Sequence, residues 1–277
     1  MEMLERALPA ETIPTSAAGA GKRYRLGRIF AEDGRSVVVP ADHGTQLGRL
    51  TGLEDPLALV RRFLPLGCDG FLLGPGLTTR SADLFAGRGA PARLMTVDTY
   101  YRDAERGTSV LITSLEWAAQ LGVDAIKVFM PWDVVPDERA RCSAFVADVI
   151  VRAEPLGLPV MVEPIAIYRP RGPEAVAVEG DGCRMAAELG ADIIKVAYPD
   201  DPELLAAWVA ELAVPLVILG GPPSGTADDL CALVGDAMAA GAAGITIGRR
   251  LWQRPADEAA ELLGRLQQIV HPGGTRR

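Results

Sequence analysis

Two of the three lysines in this chain sit where lysine is usually excluded. Lys127 lies in AIKVFMP (125–131) and Lys195 in DIIKVAYP (192–199), both runs of apolar and β-branched residues. Burying an ammonium ion without a partner is costly. A desolvated amine can instead give up its proton and act as a nucleophile. Of 28 basic residues three are lysine and the other 25 arginine, so generic positive charge is supplied by a group that does not deprotonate in a protein. Lysine kept at two apolar positions suggests a use for the amine itself. A neutral amine attacks a ketone to form a Schiff base, and the iminium draws electrons so that a carbon–carbon bond β to it breaks or forms. A second cation nearby favours the neutral amine, and a carboxylate such as Glu163 is suited to moving protons. The plain alternative is a buried lysine–acid network that holds a core together.

The elements that must position these groups alternate. Short apolar strands are expected at 36–43, 70–74, 93–98, 125–131, 159–164, 192–199, 215–221 and 244–249. Helices are expected at 55–67, with Pro65 marking an early end, and at 114–122, 138–157, 181–190, 201–213, 226–241 and 255–270. Continuous apolar strands followed by helices describe a parallel sheet buried on both faces. Eight such units predict an α/β fold, a (β/α)8 TIM barrel over 36–277, with residues 1–35 as a short N-terminal extension. An open doubly wound sheet is the alternative, but no GxGxxG follows the first strand. LGVDAIKVFMP (121–131) and LGADIIKVAYP (189–199) echo each other. They place Lys127 and Lys195 at equivalent depth on the fourth and sixth strands, both facing the barrel mouth.

Barrel chemistry occurs at the C-terminal strand ends. Read in order, those ends carry Asp42 and His43, Gly74, Asp98, Lys127, Glu163, Lys195, Gly220 with Gly221, and Gly248 with Arg249. GGPPSG (220–225) before a helix starting near Thr226, and IGRR (247–250), suggest a phosphate seat. Whether Arg249 or Arg250 faces it is open, the other being expected to face solvent. His43 either hydrogen-bonds substrate or is a satisfied neutral histidine. Tyr100, Tyr101 and Arg102 either line the mouth or cover its rim. Trp208 and Trp252 read as packing residues, and His271 as a tail residue outside the site.

Composition narrows the classes. A net charge of −8 without a basic block argues against nucleic acid as a partner. The four cysteines, Cys68, Cys142, Cys183 and Cys231, are scattered and read as reduced residues of a cytoplasmic protein. The first twenty residues do not read as an export signal, and no apolar run reaches the roughly 18 residues of a membrane span. No spacing suggests a metal site, and no cofactor is expected.

PADHG (40–44), DIIKV (192–196), LGGPPSG (219–225) and ITIGRRLWQRP (245–255) together resemble the class I, DhnA-type Schiff-base aldolases. This group includes archaeal-type fructose-bisphosphate aldolase and 2-amino-3,7-dideoxy-heptulosonate synthase. The resemblance spans about residues 22–270. It implies Lys195 as the Schiff-base lysine, with Asp42 touching substrate hydroxyls or assisting proton transfer. Gly221, Gly248 and Arg249 would lie around a phosphate, and a homo-oligomer is implied. Archaeal-type members carry Tyr-Pro-Arg-Gly on the fifth strand, with the tyrosine as acid/base, whereas this chain reads MVEPIAIYRPRG (161–172). The stretch is more similar to tagatose-bisphosphate and sulfofructose-phosphate aldolases, which implies Glu163 as proton shuttle, with Tyr168 second and Lys127 as companion cation. The expected activity is therefore metal-independent cleavage or formation of a carbon–carbon bond in a phosphorylated ketose. The rivals are a thiolase-like acyl transferase using the same lysine and a non-catalytic sugar-phosphate-binding barrel.

Overall fold

The structure is a computed structural model that describes residues 17–103 and 106–274. The first sixteen residues of the expected extension lie outside the described residues. In chain order the elements are α1 (Ala17–Ile29), β1 (Ser36–Pro40), α2 (Gly44–Leu47), α3 (Pro56–Phe63), β2 (Gly70–Leu73), α4 (Pro75–Arg80), β3 (Ala92–Thr96), β4 (Asp98–Arg102) and β5 (Gly107–Leu111). They continue with α5 (Leu115–Gln120), β6 (Ala125–Pro131), α6 (Pro136–Ala153), β7 (Val160–Ile165), α7 (Pro173–Leu189), β8 (Ile193–Ala197) and α8 (Pro202–Leu212). The last are β9 (Leu216–Leu219), α9 (Ala227–Ala239), β10 (Gly244–Thr246), α10 (Arg249–Trp252) and α11 (Ala256–Val270). Eight strands close into a parallel barrel in the order β1-β2-β3-β6-β7-β8-β9-β10, as expected, while β4 and β5 form an antiparallel hairpin outside it. No helix among the described residues is long and apolar enough to cross a membrane.

Helix starts follow local chemistry. Asp55, Ser114 and Asp201 accept hydrogen bonds from first-turn backbone N–H groups of α3, α5 and α8. Proline stands at the first positions of α3, α6, α7 and α8. As Pro65 suggested, α3 ends at Phe63 and a 3-10 turn follows over Leu64–Leu66.

Alternate strand residues face the barrel axis. Near the N-terminal ends these are Val38, Leu72, Leu94, Ala125, Met161, Ile193 and Val217, which form an apolar floor with Ile29 of α1 beneath it. Two residues further, about 6.6 Å up each strand, Leu94, Ala125, Met161 and Ile193 give way to Thr96, Lys127, Glu163 and Lys195. The outward residues bury against the helices in a larger cluster. The floor therefore ends in a polar storey that opens at the mouth.

Charged groups fasten the closed end. Asp69, Asp124 and Asp192 each precede a strand and clasp the neighbouring one in both directions. Their carboxylates accept from the backbone N–H of Val37 (2.7 Å), Arg93 (2.9 Å) and Val160 (2.8 Å). Their own N–H groups donate to the carbonyls of those same three residues. On α1, Arg28 pairs with Asp124 at 2.7 Å, and Lys22 pairs with Asp192 at 3.0 Å and Glu154 at 2.6 Å. His271 sits between Asp33 (2.8 Å) and Asp69 (3.0 Å).

Four expectations change. Residues 98–102 and 107–111, for which no element was expected past the third strand's end at 98, form the β4–β5 hairpin. The stretch between β2 and β3, where no helix was expected, contains α4. The helix expected to start at Asp181 starts at Pro173, because Gly180 and Gly182 are interior contact points and not breaks. A Cβ at Gly180 would stand 2.8 Å from the Trp208 ring, and one at Gly182 2.8 Å from Pro164. Finally, strand β10 ends at Thr246, and Arg249 opens α10.

Candidate active site

β6, β7 and β8 are adjacent, so their inward residues one storey above the floor meet. Glu163 on β7 lies between Lys127 on β6 and Lys195 on β8. Its Oε2 is 2.8 Å from Lys127 Nζ and 3.1 Å from Lys195 Nζ. Asp42, just beyond β1, accepts a 2.5 Å hydrogen bond from the Thr96 hydroxyl and stands 3.8 Å from Lys127 Nζ. Lys127 is 0% exposed, with its ammonium over the Phe129 ring, whereas Lys195 is 7% exposed and lines a cavity. A ligand entering from the mouth can reach Lys195 but not Lys127.

The electrostatics follow from shared partners. Burial alone would raise the Glu163 carboxyl, but Lys127 and Lys195 outweigh it and hold it below the usual range. Asp42 is likewise lowered, burial being outweighed by Lys127, Lys195, His43 and the Thr96 hydroxyl. Lys127 is lowered: burial dominates, Lys195 adds repulsion, and its shares of Glu163, Asp42 and Asp98 do not offset them. Asp98 is pushed up to about 7 by burial, against Lys127 and the Phe129 N–H. Both Asp98 oxygens face that N–H, at 3.2 and 3.1 Å.

Across the mouth, Gly220 and Gly221 follow β9, and Gly248 and Arg249 follow β10; all four line the same cavity. Gly221 has φ 69°, a backbone that favours glycine. A Cβ at Gly248 would lie 2.7 Å from His43, so only glycine lets that ring approach. His43 stands edge-on to Trp252 and is lowered, mainly by burial and against the pull of Asp42, which favours the neutral ring. Trp252 donates to the Pro40 carbonyl, consistent with a packing residue. Arg249 Nε, His43 Nδ1, Gln46 Nε2 and Thr246 Oγ1 are buried without a hydrogen-bond partner among the described residues.

Two details of the expected phosphate side are corrected. Arg250 does not face solvent: it is buried, with Asp229 and Arg254 close to its charge. Helix α9 does start after Thr226, but Thr226 and Asp229 cap each other there, and Asp228 and Asp229 place negative charge in its first turn. That helix end repels an anion. The uncapped Gly248–Arg249 turn faces the cavity instead.

Tyr168 is not brought to the lysines. Asp133 accepts from the backbone N–H groups of Ile167, Tyr168 and Arg169 at 2.8, 2.6 and 2.8 Å. The loop so held turns Ile167 into the cavity wall and Tyr168 against the Arg102 guanidinium, 5.3 Å from the ring centre. Tyr168 is raised, by burial and by Glu138. The hairpin brings Tyr100, Tyr101 and Arg102 to the cavity, so they line the mouth. Sequence reasoning assigned no role to Thr96, Asp133, Gln46 or Thr246. Only Thr96 and Thr246 had a signal, being polar residues at inward positions of apolar strands.

The cavity measures about 470 Å³. A larger hollow, about 880 Å³, lies in the outer layer between α7 and α8 against Trp208. None of the lysines lines it.

Residues 36–254 match a family model described as DeoC/LacD family aldolase. The chain is 34% identical to the 2-amino-3,7-dideoxy-D-threo-hept-6-ulosonate synthase of Halobacterium salinarum, over 91% of this chain and 92% of that one. It is 29% identical to the class 1 fructose-bisphosphate aldolase of Thermoproteus tenax, over 89% of this chain and 93% of that one. A solved archaeal fructose-1,6-bisphosphate aldolase, with its catalytic lysine covalently bound to the carbinolamine intermediate of its substrate, is similar with a TM-score of 0.74. The two share 26% identity over 90% of this chain and 99% of that one.

Proposed function

The chain belongs to the DeoC/LacD aldolase family and is a class I aldolase, and we propose that Lys195 is the residue that forms its Schiff base, acting on a phosphorylated ketose. The observation that carries this reading is one carboxylate, Glu163, shared by two ammonium nitrogens at 2.8 and 3.1 Å, with only Lys195 open to the cavity.

The steps follow from these contacts. Lys195 passes a proton to Glu163 and attacks the ketone carbon. Glu163 returns that proton to the alkoxide oxygen, then carries a second proton from the carbinolamine nitrogen to the hydroxyl, so that water leaves and an iminium remains. The substrate hydroxyl β to the iminium carbon loses its proton to Glu163. The carbon–carbon bond breaks, an aldehyde departs, and the electron pair stays as an enamine. Protonation of the enamine carbon and addition of water release the ketone and restore the amine. Lys127 stands against Glu163 and orients it. Asp42 receives a substrate hydroxyl. Gly220, Gly221, Gly248 and Arg249 receive the phosphate, with His43 beside them; the fork of Arg249 and open backbone N–H groups suit its oxygens. Tyr168 is the second candidate for the acid, and its place against Arg102 favours Glu163. The reading has the protein acting in the cytoplasm as a homo-oligomer, which its sedimentation mass would test.

Borohydride reduction with a ketose phosphate tests the central step. Covalent mass should appear on Lys195; no adduct, or an adduct on Lys127, overturns the assignment. Product analysis with and without coenzyme A separates aldol cleavage from acyl transfer by the same amine.

A further inference from the structure

The mouth has two unlike sides. The side after β9, β10 and β1 carries the glycines and, with Arg249, His43, Gln46 and Thr246, most of the cavity's buried polar atoms without a partner among the described residues. The opposite wall, above β6 and β7, is made by Phe129, Pro131, Ile165 and Ile167, with Leu47 and Tyr101 on its rim. Leu47 and Tyr101 are 53% and 66% exposed. The elements that carry them are joined, because Thr99 of the hairpin donates to the Thr45 carbonyl of α2. Scattered exposed apolar residues are ordinary, but a contiguous apolar wall beside a reactive group is a surface that a ligand covers.

Among the described residues lining this side, the charged ones are Glu163 at the base and, at the rim beside the Tyr100 hydroxyl, Arg102. One of its N–H groups donates to the Ile167 carbonyl at 2.9 Å, and its plane lies against Tyr168. The guanidinium is thus tied along the rim. The side chains of Phe129, Pro131, Ile165 and Ile167 offer no hydrogen bond to a phosphate or a row of hydroxyls laid against them, which would lose water there. An alkyl or aryl group would gain from the same burial.

We propose that the fragment beyond the scissile bond is an aldehyde bearing an apolar, aliphatic or aromatic substituent and no phosphate. The proposal rests on the aldolase reading and names the partner of the same lysine. In the condensing direction the donor iminium first loses an α-proton to Glu163. The enamine electron pair then forms the new bond to the aldehyde carbon, and the carbonyl electrons move to oxygen, which takes the proton back from Glu163. Water adds to the resulting iminium, the product ketone leaves, and Lys195 is free again. No further reactant is consumed.

The test uses the full chain with dihydroxyacetone phosphate as donor, in two arms. Borohydride trapping of the donor on Lys195, without any aldehyde, checks the underlying aldolase reading; absence of trapping sinks that reading and the proposal with it. Where trapping occurs, butanal and phenylacetaldehyde are compared with glyceraldehyde 3-phosphate. The expected result is at least a tenfold higher kcat/KM for the apolar aldehydes. Ile165→Asn should reduce that advantage about tenfold while leaving donor trapping unchanged. Ile167→Asn, on the loop, serves the same purpose should the strand variant not fold. Equal rates, or a preference for glyceraldehyde 3-phosphate that Arg102→Met removes, overturn the proposal and make Arg102 an anion seat instead.

Discussion

The two ends of the barrel use the same residue types to opposite effect. At the closed end Lys22 has two carboxylates to itself, Asp192 and Glu154, and His271 is held between Asp33 and Asp69. At the open end Lys195 has only Glu163 within 4 Å among the described residues and shares it with Lys127, and several buried donors have no partner there. A cation with surplus partners is fixed and inert. A cation that shares its close carboxylate and lines a cavity is the one a ligand can reach. Burial is common to both ends; partner count and access separate them.

Substitutions at the two ends should separate accordingly. Lys195→Arg keeps the charge but removes the nucleophile, so kcat should fall at least about 10³-fold with the fold intact. Activity within tenfold of the native chain would refute the assignment. Glu163→Gln should lower kcat by roughly 10²–10⁴-fold, while slow borohydride trapping at Lys195 persists; loss of fold instead of rate would make Glu163 structural.

Asp98 offers a pH test. Its pKa is raised in the folded state from 3.8 to about 7. The stability it contributes is therefore complete below about pH 4 and is lost as the pH rises through about 7. Asp98→Asn should flatten the fall in Tm between pH 5 and pH 8, and parallel curves for the two proteins would contradict the shift. The effect should be smallest for the floor. Lys22→Met leaves Asp192 half-compensated and should cost about 1–2 kcal/mol in urea unfolding, with kcat unchanged. A loss of kcat without loss of stability would break the contrast between the ends.

The parts legible in the sequence are those with a short-range signature. All eight barrel strands are apolar runs, and Lys127, Glu163 and Lys195 stand out inside them because such runs rarely hold charge. Membership of the cavity was equally readable for Asp42, His43 and the glycine pairs, which sit at strand ends. What was hidden depends on contacts distant in sequence. The β4–β5 hairpin lacks a tight-turn signal, so no element is expected there. Helix α7 looks broken at Gly180 and Gly182 until Trp208 and Pro164 are seen packed there. The loop signal at 220–226 could not show that Asp229 would turn back to cap Thr226. Tyr168 stands five residues past Glu163, and only the three N–H groups gathered by Asp133 reveal which way it turns.

The aspartate clasps have a consequence for the chemistry far above them. Asp124 and Asp192 each stand three residues before a lysine, about 10 Å along an extended strand, and each pins its strand against a neighbour through two hydrogen bonds. A slip of one residue at either clasp would swing every side chain of that strand to its other face, sending Lys127 or Lys195 out among the helices. The altitude and heading of each lysine nitrogen are thus measured out from the sealed base, by carboxylates that stand outside the cavity lining.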